Sequence, residues 1–175
     1  TVKQAARILG SPFPPQGWQQ SAFNDLDWVR HRGPLPNVYR SLALVCLRGK
    51  FQAPDPARVK ELKLSLKFQG GAIAYLNGKE VGRASLPPGA VTHETLAEEY
   101  PYETFVDAKN GLLNLPYVYG ISTPLGSSDP RAEAACRDAE KAKRIKQRLR
   151  TLDVTIPAGL LKKGLNVLAV EIHRA

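Results

Sequence analysis

Cysteine and histidine are scarce in this chain. There are two cysteines, Cys46 and Cys136, and three histidines, His31, His93 and His173, each isolated in sequence. No Cys-x-x-Cys pair or Cys/His cluster offers the spacing a structural zinc needs. The motifs of common catalytic machinery are missing too: there is no Gly-x-Ser-x-Gly, His-Glu-x-x-His, phosphate-binding loop or Gly-x-Gly-x-x-Gly. No apolar run approaches the roughly 20 residues needed to span a bilayer. The chain is therefore read as not an enzyme, without cofactor or metal, and with no membrane insertion.

What is present points to a turn-rich β protein. A length of 175 residues suits one domain, residues 1–175. A chain of that size buries about 70% of the surface it exposes when unfolded. The apolar fraction of 43% is ordinary, while 14 prolines and 14 glycines favour turns over long helices. Thr1 is not an initiator residue, so the chain is expected to be processed or cut from a longer one. The formal charge of +9 and pI near 9.7 suit acidic partners: nucleic acid or anionic polysaccharide. Between Arg131 and Arg150, eight basic residues meet three acidic ones, so more than half of the excess lies there.

The clearest local signal runs from Gly70 to Arg83, Gly-Gly-Ala-Ile-Ala-Tyr-Leu-Asn-Gly-Lys-Glu-Val-Gly-Arg. It reads as two strands joined by an Asn77-Gly78 turn, because both central residues of a type I′ turn need positive φ. Ile73 and Tyr75 share one face; Ala72, Ala74 and Leu76 share the other. Small alanines beside a Gly-Gly pair imply close approach of a neighbouring sheet. Val59–Phe68 alternates, with Leu62, Leu64, Leu66 and Phe68 on one face and Lys63, Ser65 and Lys67 on the other. Asn166–Arg174 alternates likewise, and residues 151–156 read as a strand. Val38–Phe51 is nearly continuous in apolar residues from Leu42 to Leu47, which suits a strand buried on both faces or a short buried helix. Val2–Ile8 and Val91–Leu96 are expected as short strands. Phe23–Trp28 is a turn-rich segment with Trp28 as its anchor.

A long insertion is expected over about residues 99–150, rich in aromatics between Tyr100 and Tyr119. Asp129-Pro130 is a helix start, and Ala132, Cys136, Ala139, Ala142, Ile145 and Leu149 recur at helical spacing. This predicts one surface α-helix over about 130–149. Its crowded cations, Lys141, Lys143, Arg144, Lys146 and Arg148, are either a solvated face or a patch for an anionic partner. Without interleaved aromatics, nucleic acid is disfavoured.

The order of three features resembles the galactose-binding-like jelly-roll family: the Asp/Trp segment Phe23–Trp28, the hairpin Tyr75-Leu76-Asn77-Gly78-Lys79-Glu80-Val81, and the closing strand Gly164-Leu165-Asn166-Val167-Leu168-Ala169-Val170-Glu171. The resemblance covers roughly residues 17–98 and 151–175. It implies an all-β jelly-roll β-sandwich. It also implies an accessory module of large bacterial, planctomycete-type, extracytoplasmic proteins, at the cell surface, in the periplasm or secreted. The fold hosts sugar binders, protein binders and purely structural modules alike.

Two functional expectations follow. The first is a non-catalytic carbohydrate-binding-like module for acidic or sulfated glycans. Glu171 and His173, two residues apart on one strand face, would hydrogen-bond sugar hydroxyls. Tyr75, Arg83 and Trp28 would supply further contacts. The second is a structural spacer or protein–protein interaction module with no small-molecule ligand, its partners being neighbouring domains. An open polar groove favours the first; Glu171 and His173 tied up in internal bonds favour the second. Asp25 and Asp27 offer two carboxylates for a structural calcium, but Asp27 capping its own turn is the simpler reading. Cys46 is either a buried inert thiol or the partner of Cys136 in a disulfide.

Overall fold

The computed structural model describes residues 13–30, 43–105 and 146–175. They hold six strands, β1 (Leu44–Ala53), β2 (Leu62–Phe68), β3 (Gly71–Leu76), β4 (Lys79–Ala84), β5 (Arg150–Ile156) and β6 (Gly164–His173). The larger sheet has the order β1-β6-β3-β4, and β2 pairs with β5 in the smaller one. Every pairing is antiparallel, so the described residues are all-β. The expected strand at Val2–Ile8, the helix over about 130–149 except its last residues, and most of the insertion lie outside them.

Alternation builds the layers. Leu64, Leu66 and Phe68 of β2 and Leu152 and Val154 of β5 pack on Ala72, Ala74, Val81 and Ile172 of the larger sheet. At one end Leu62 and Ile156 meet Phe51, Leu76, Leu160 and Leu161. The alanines and glycines of β3 and β4 let the sheets close: a Cβ at Gly82 would lie 2.5 Å from a methyl of Val154. The Asn77-Gly78 turn has φ of 54° and 87°, as a type I′ turn requires. Gly70 has φ +90°, and a Cβ there would sit 1.9 Å from the His173 carbonyl oxygen. Only glycine lets the chain pass the end of β6.

Three local expectations change. Val91–Leu96 is a turn, not a strand. The Thr92 amide donates to Thr95 Oγ1 at 2.8 Å and the Thr95 amide to the Thr92 carbonyl at 3.0 Å, so side chains take bonds a strand neighbour would need. The run at 42–47 contributes a half-buried strand beginning at Leu44. The anchor of the N-terminal segment is Trp18, 2% exposed, and the half-buried Trp28 stacks on it at 5.7 Å.

That N-terminal segment, residues 13–30, forms a strap over the outer face of the larger sheet. Trp18, Phe23 and Trp28 pack on Cys46, Tyr75, Val167 and Ala169. Beside it, Leu86, Val91 and Ala97 cover Ile73 and Tyr75.

Candidate functional site

Register places a polar set on that covered face. Cys46 of β1 lies opposite Glu171 of β6, and Glu171 lies opposite Ile73 of β3. Tyr75 is two residues further along β3, beside Ala169. His173 shares the face with Glu171 because side chains alternate along a strand.

Glu171 is 6% exposed and His173 fully buried. His173 Nδ1 lies 2.9 Å from the Thr95 carbonyl and Nε2 lies 3.2 Å from Glu171 Oε2. A carbonyl only accepts, so Nδ1 carries hydrogen. Nε2 then faces the Glu171 carboxyl. Gln19 of the strap donates to Glu171 Oε1 at 3.4 Å, and Tyr75 lies near enough to Glu171 to feel its charge. The Tyr75 phenol is pushed well above its ordinary value, first by burial and then by the Glu171 carboxylate. The same two causes push the Cys46 thiol up to about 12. Cys46 is a free thiol; Cys136 lies outside the described residues. Such a thiol is a poor nucleophile.

Arg83 is at the rim. It donates to both oxygens of Glu80, at 2.6 and 2.7 Å, and to the Gly89 carbonyl at 2.9 Å. These bonds from Arg83 hold Glu80 below its ordinary value. Among the residues singled out from sequence, Glu171, His173 and Tyr75 therefore meet, Arg83 flanks them, and Trp28 is linked to Tyr75 through Trp18, which stacks on Trp28 and meets Tyr75 edge-on.

A second polar centre pins the strap. Asp25 is 3% exposed. It receives Arg48 Nε at 3.1 Å, Lys50 Nζ at 2.6 Å and Arg30 Nη2 at 3.2 Å. The hydrogen bond from Lys50 is the largest influence, and with those from Arg48 and Arg30 it outweighs burial, so Asp25 is held well below the ordinary carboxylate range. Arg48 also donates to the carbonyls of Trp18, Gln20 and Phe23. The cations around Asp25 are thus side chains of the chain itself. Asn24, not Asp27, caps the adjoining turn, its Oδ1 accepting from the Leu26 amide at 3.1 Å. Among the described residues, no group of three or more His, Cys, Asp or Glu side chains could hold a metal.

Of the basic patch, Lys141, Lys143 and Arg144 lie outside the described residues and Lys146 is exposed. Arg148 is 3% exposed, donates to the Thr104 carbonyl at 2.5 Å and lies 4.5 Å over the Phe105 ring. Nearby, Arg150 stacks 3.9 Å over Tyr100 and donates to the Gly70 carbonyl at 2.8 Å. Both arginines serve the fold.

A small, mainly apolar crevice of about 60 Å³ opens between Phe51, Leu62, Leu64, Leu76, Ile156 and Leu168, with Lys63 as the one charged residue of its lining. It offers a ligand no convergent polar groups. Among the described residues, no helix is long and apolar enough to cross a membrane. No protein-family model, curated protein or solved structure matches the chain.

Proposed function

We propose that the protein is a non-catalytic contact module: a jelly-roll, galactose-binding-like unit with a structural or protein-interaction role in a larger cell-surface or secreted protein. One observation carries this choice over sugar binding through Glu171 and His173. Both side chains are buried, and their polar atoms are taken within the chain: Glu171 by Gln19 and His173, and His173 by Glu171 and the Thr95 carbonyl. A sugar hydroxyl reaching them must first displace those bonds, and unpaired buried polar groups cost about 1–3 kcal/mol each. The jelly-roll assignment and the extracytoplasmic setting rest on the sequence resemblance, together with the two antiparallel sheets.

A glycan array with neutral and sulfated polysaccharides, read at low and high salt, tests this reading. No retained glycan is expected from the wild-type chain. A retained glycan whose binding disappears in Glu171→Gln, with the fold intact by circular dichroism, overturns it.

A further inference from the structure

The geometry points to an interaction surface at the edge of the strap, formed by Leu26, Val29 and Arg30 with Lys50 of β1, that receives an acidic segment of a partner protein bearing aliphatic side chains. The inference rests on the contact-module reading and names the partner's chemistry.

Charge imbalance is the first observation. Arg30 Nη2 and Lys50 Nζ both reach Asp25 Oδ1, at 3.2 and 2.6 Å, so two cationic groups stand side by side around one oxygen. The other oxygen is taken by Arg48, whose side chain is 2% exposed. One carboxylate therefore faces three cations. The two in excess are those in water, with side chains 63% exposed for Arg30 and 38% for Lys50. Among the described residues, Arg30 Nε and Nη1 have no polar partner, and Lys50 bonds only to Asp25. The sequence is poor in acids here: besides Asp25 the turn carries only the exposed Asp27, which forms no ion pair with Arg30 or Lys50, and from Trp28 to Pro54 the chain holds Arg30, Arg32, Arg40, Arg48 and Lys50 but no Asp or Glu. A carboxylate arriving from solvent can bridge the two cations through charge-assisted bonds.

Apolar exposure beside these cations is the second observation. Leu26 is 78% exposed and Val29 is 93% exposed, on the same turn as Arg30. The Trp28 amide and Arg30 Nη2 both donate to the Asp25 carbonyl, at 3.1 and 3.0 Å, which fixes that turn. The exposed groups are aliphatic, while Trp28 is stacked on Trp18. A nucleic acid would want stacking surfaces, and a sulfated sugar buries little hydrocarbon on leucine. A peptide alternating acidic and aliphatic residues meets both demands.

The test uses the whole chain and three probes: a synthetic peptide alternating Glu and Leu, one alternating Glu and Ser, and dextran sulfate. Affinity is read by fluorescence anisotropy at low salt. The Glu/Leu peptide is expected to bind about tenfold more tightly than Glu/Ser, as burial of a few methylenes provides. Val29→Ser, at a site too exposed to threaten folding, is expected to erase that preference. Lys50→Gln combined with Arg30→Gln is expected to remove binding of both peptides. Equal affinity for the two peptides, no binding of either, or binding untouched by these substitutions overturns this surface while leaving the contact-module reading to its own glycan test. Tighter binding of dextran sulfate than of either peptide, through the same residues, overturns both.

Discussion

Asp25 shows how a single residue holds a segment in place. Its carboxylate is buried, and three cations keep it ionised. Because its folded value is depressed, it stabilises the protein above its unfolded value, near about 3.9. That contribution disappears as pH falls from there toward the folded value. Wild-type urea midpoints are expected to fall across this acid window, and Asp25→Asn to give a lower midpoint at neutral pH with a flatter acid profile. Asp25→Ala leaves the buried Arg48 guanidinium unmatched, and an uncompensated buried charge costs about 3–5 kcal/mol. Cys46 provides an independent residue-level check. With its thiol pushed up to about 12 by burial and Glu171, iodoacetamide is expected to leave the Cys46 peptide unmodified at neutral pH and to label it in urea, as read by mass spectrometry. Fast labelling of the native protein would contradict the burial described.

Among the elements, the hairpin and closing strand were legible in the sequence because their signals are local. Asn-Gly fixes a turn, and alternation from Asn166 to His173 fixes two faces; both appear as expected. The sequence did not reveal that the turn is also a clamp. Asn77 Oδ1 accepts from the Val167 amide at 3.0 Å, and Nδ2 donates to Leu160 O at 3.1 Å and Asn166 Oδ1 at 2.8 Å. Those partners lie some ninety residues away, beyond any short-range pattern. Asn77→Gly keeps the positive φ but orphans the Val167 amide. It is expected to cost about 1–3 kcal/mol, measurable as a shifted urea midpoint without a change in circular dichroism. The strap was misread for the same reason. Trp18 sits in a proline- and glycine-rich stretch with no periodicity, and it is buried only because Val167 and Ala169 lie beneath it. Truncating it to alanine is expected to cost about 3–5 kcal/mol. The turn at Thr92–Thr95 was mistaken for a strand because its hydroxyl-to-amide bonds override the strand preference of Val91 and Thr92.

For the molecule as a whole, the candidate site was partly legible. The placement of Glu171 and His173 on one face followed from a spacing of two, and Tyr75 joined them through the β3–β6 register. Whether that face was open depended on what covered it, and the cover comes from the other end of the chain. A sheet face that carries a carboxyl, an imidazole and a phenol was expected to meet ligand; the strap and the 86–97 segment cover it instead. Net charge gave direction to the reading of partners, but not location: Arg148, counted with the basic patch, is buried against Phe105, while Arg30 and Lys50, outside that patch, share the Asp25 carboxylate with Arg48 at the strap. The most direct test of closure is a long-range proton–nitrogen NMR spectrum of the His173 ring in the native chain. A ring Nδ1–H signal protected from solvent exchange is expected from its bond to the Thr95 carbonyl of the covering 86–97 segment. A His173 ring whose nitrogen-bound protons exchange freely with water would mean that the face is open, and would contradict the account.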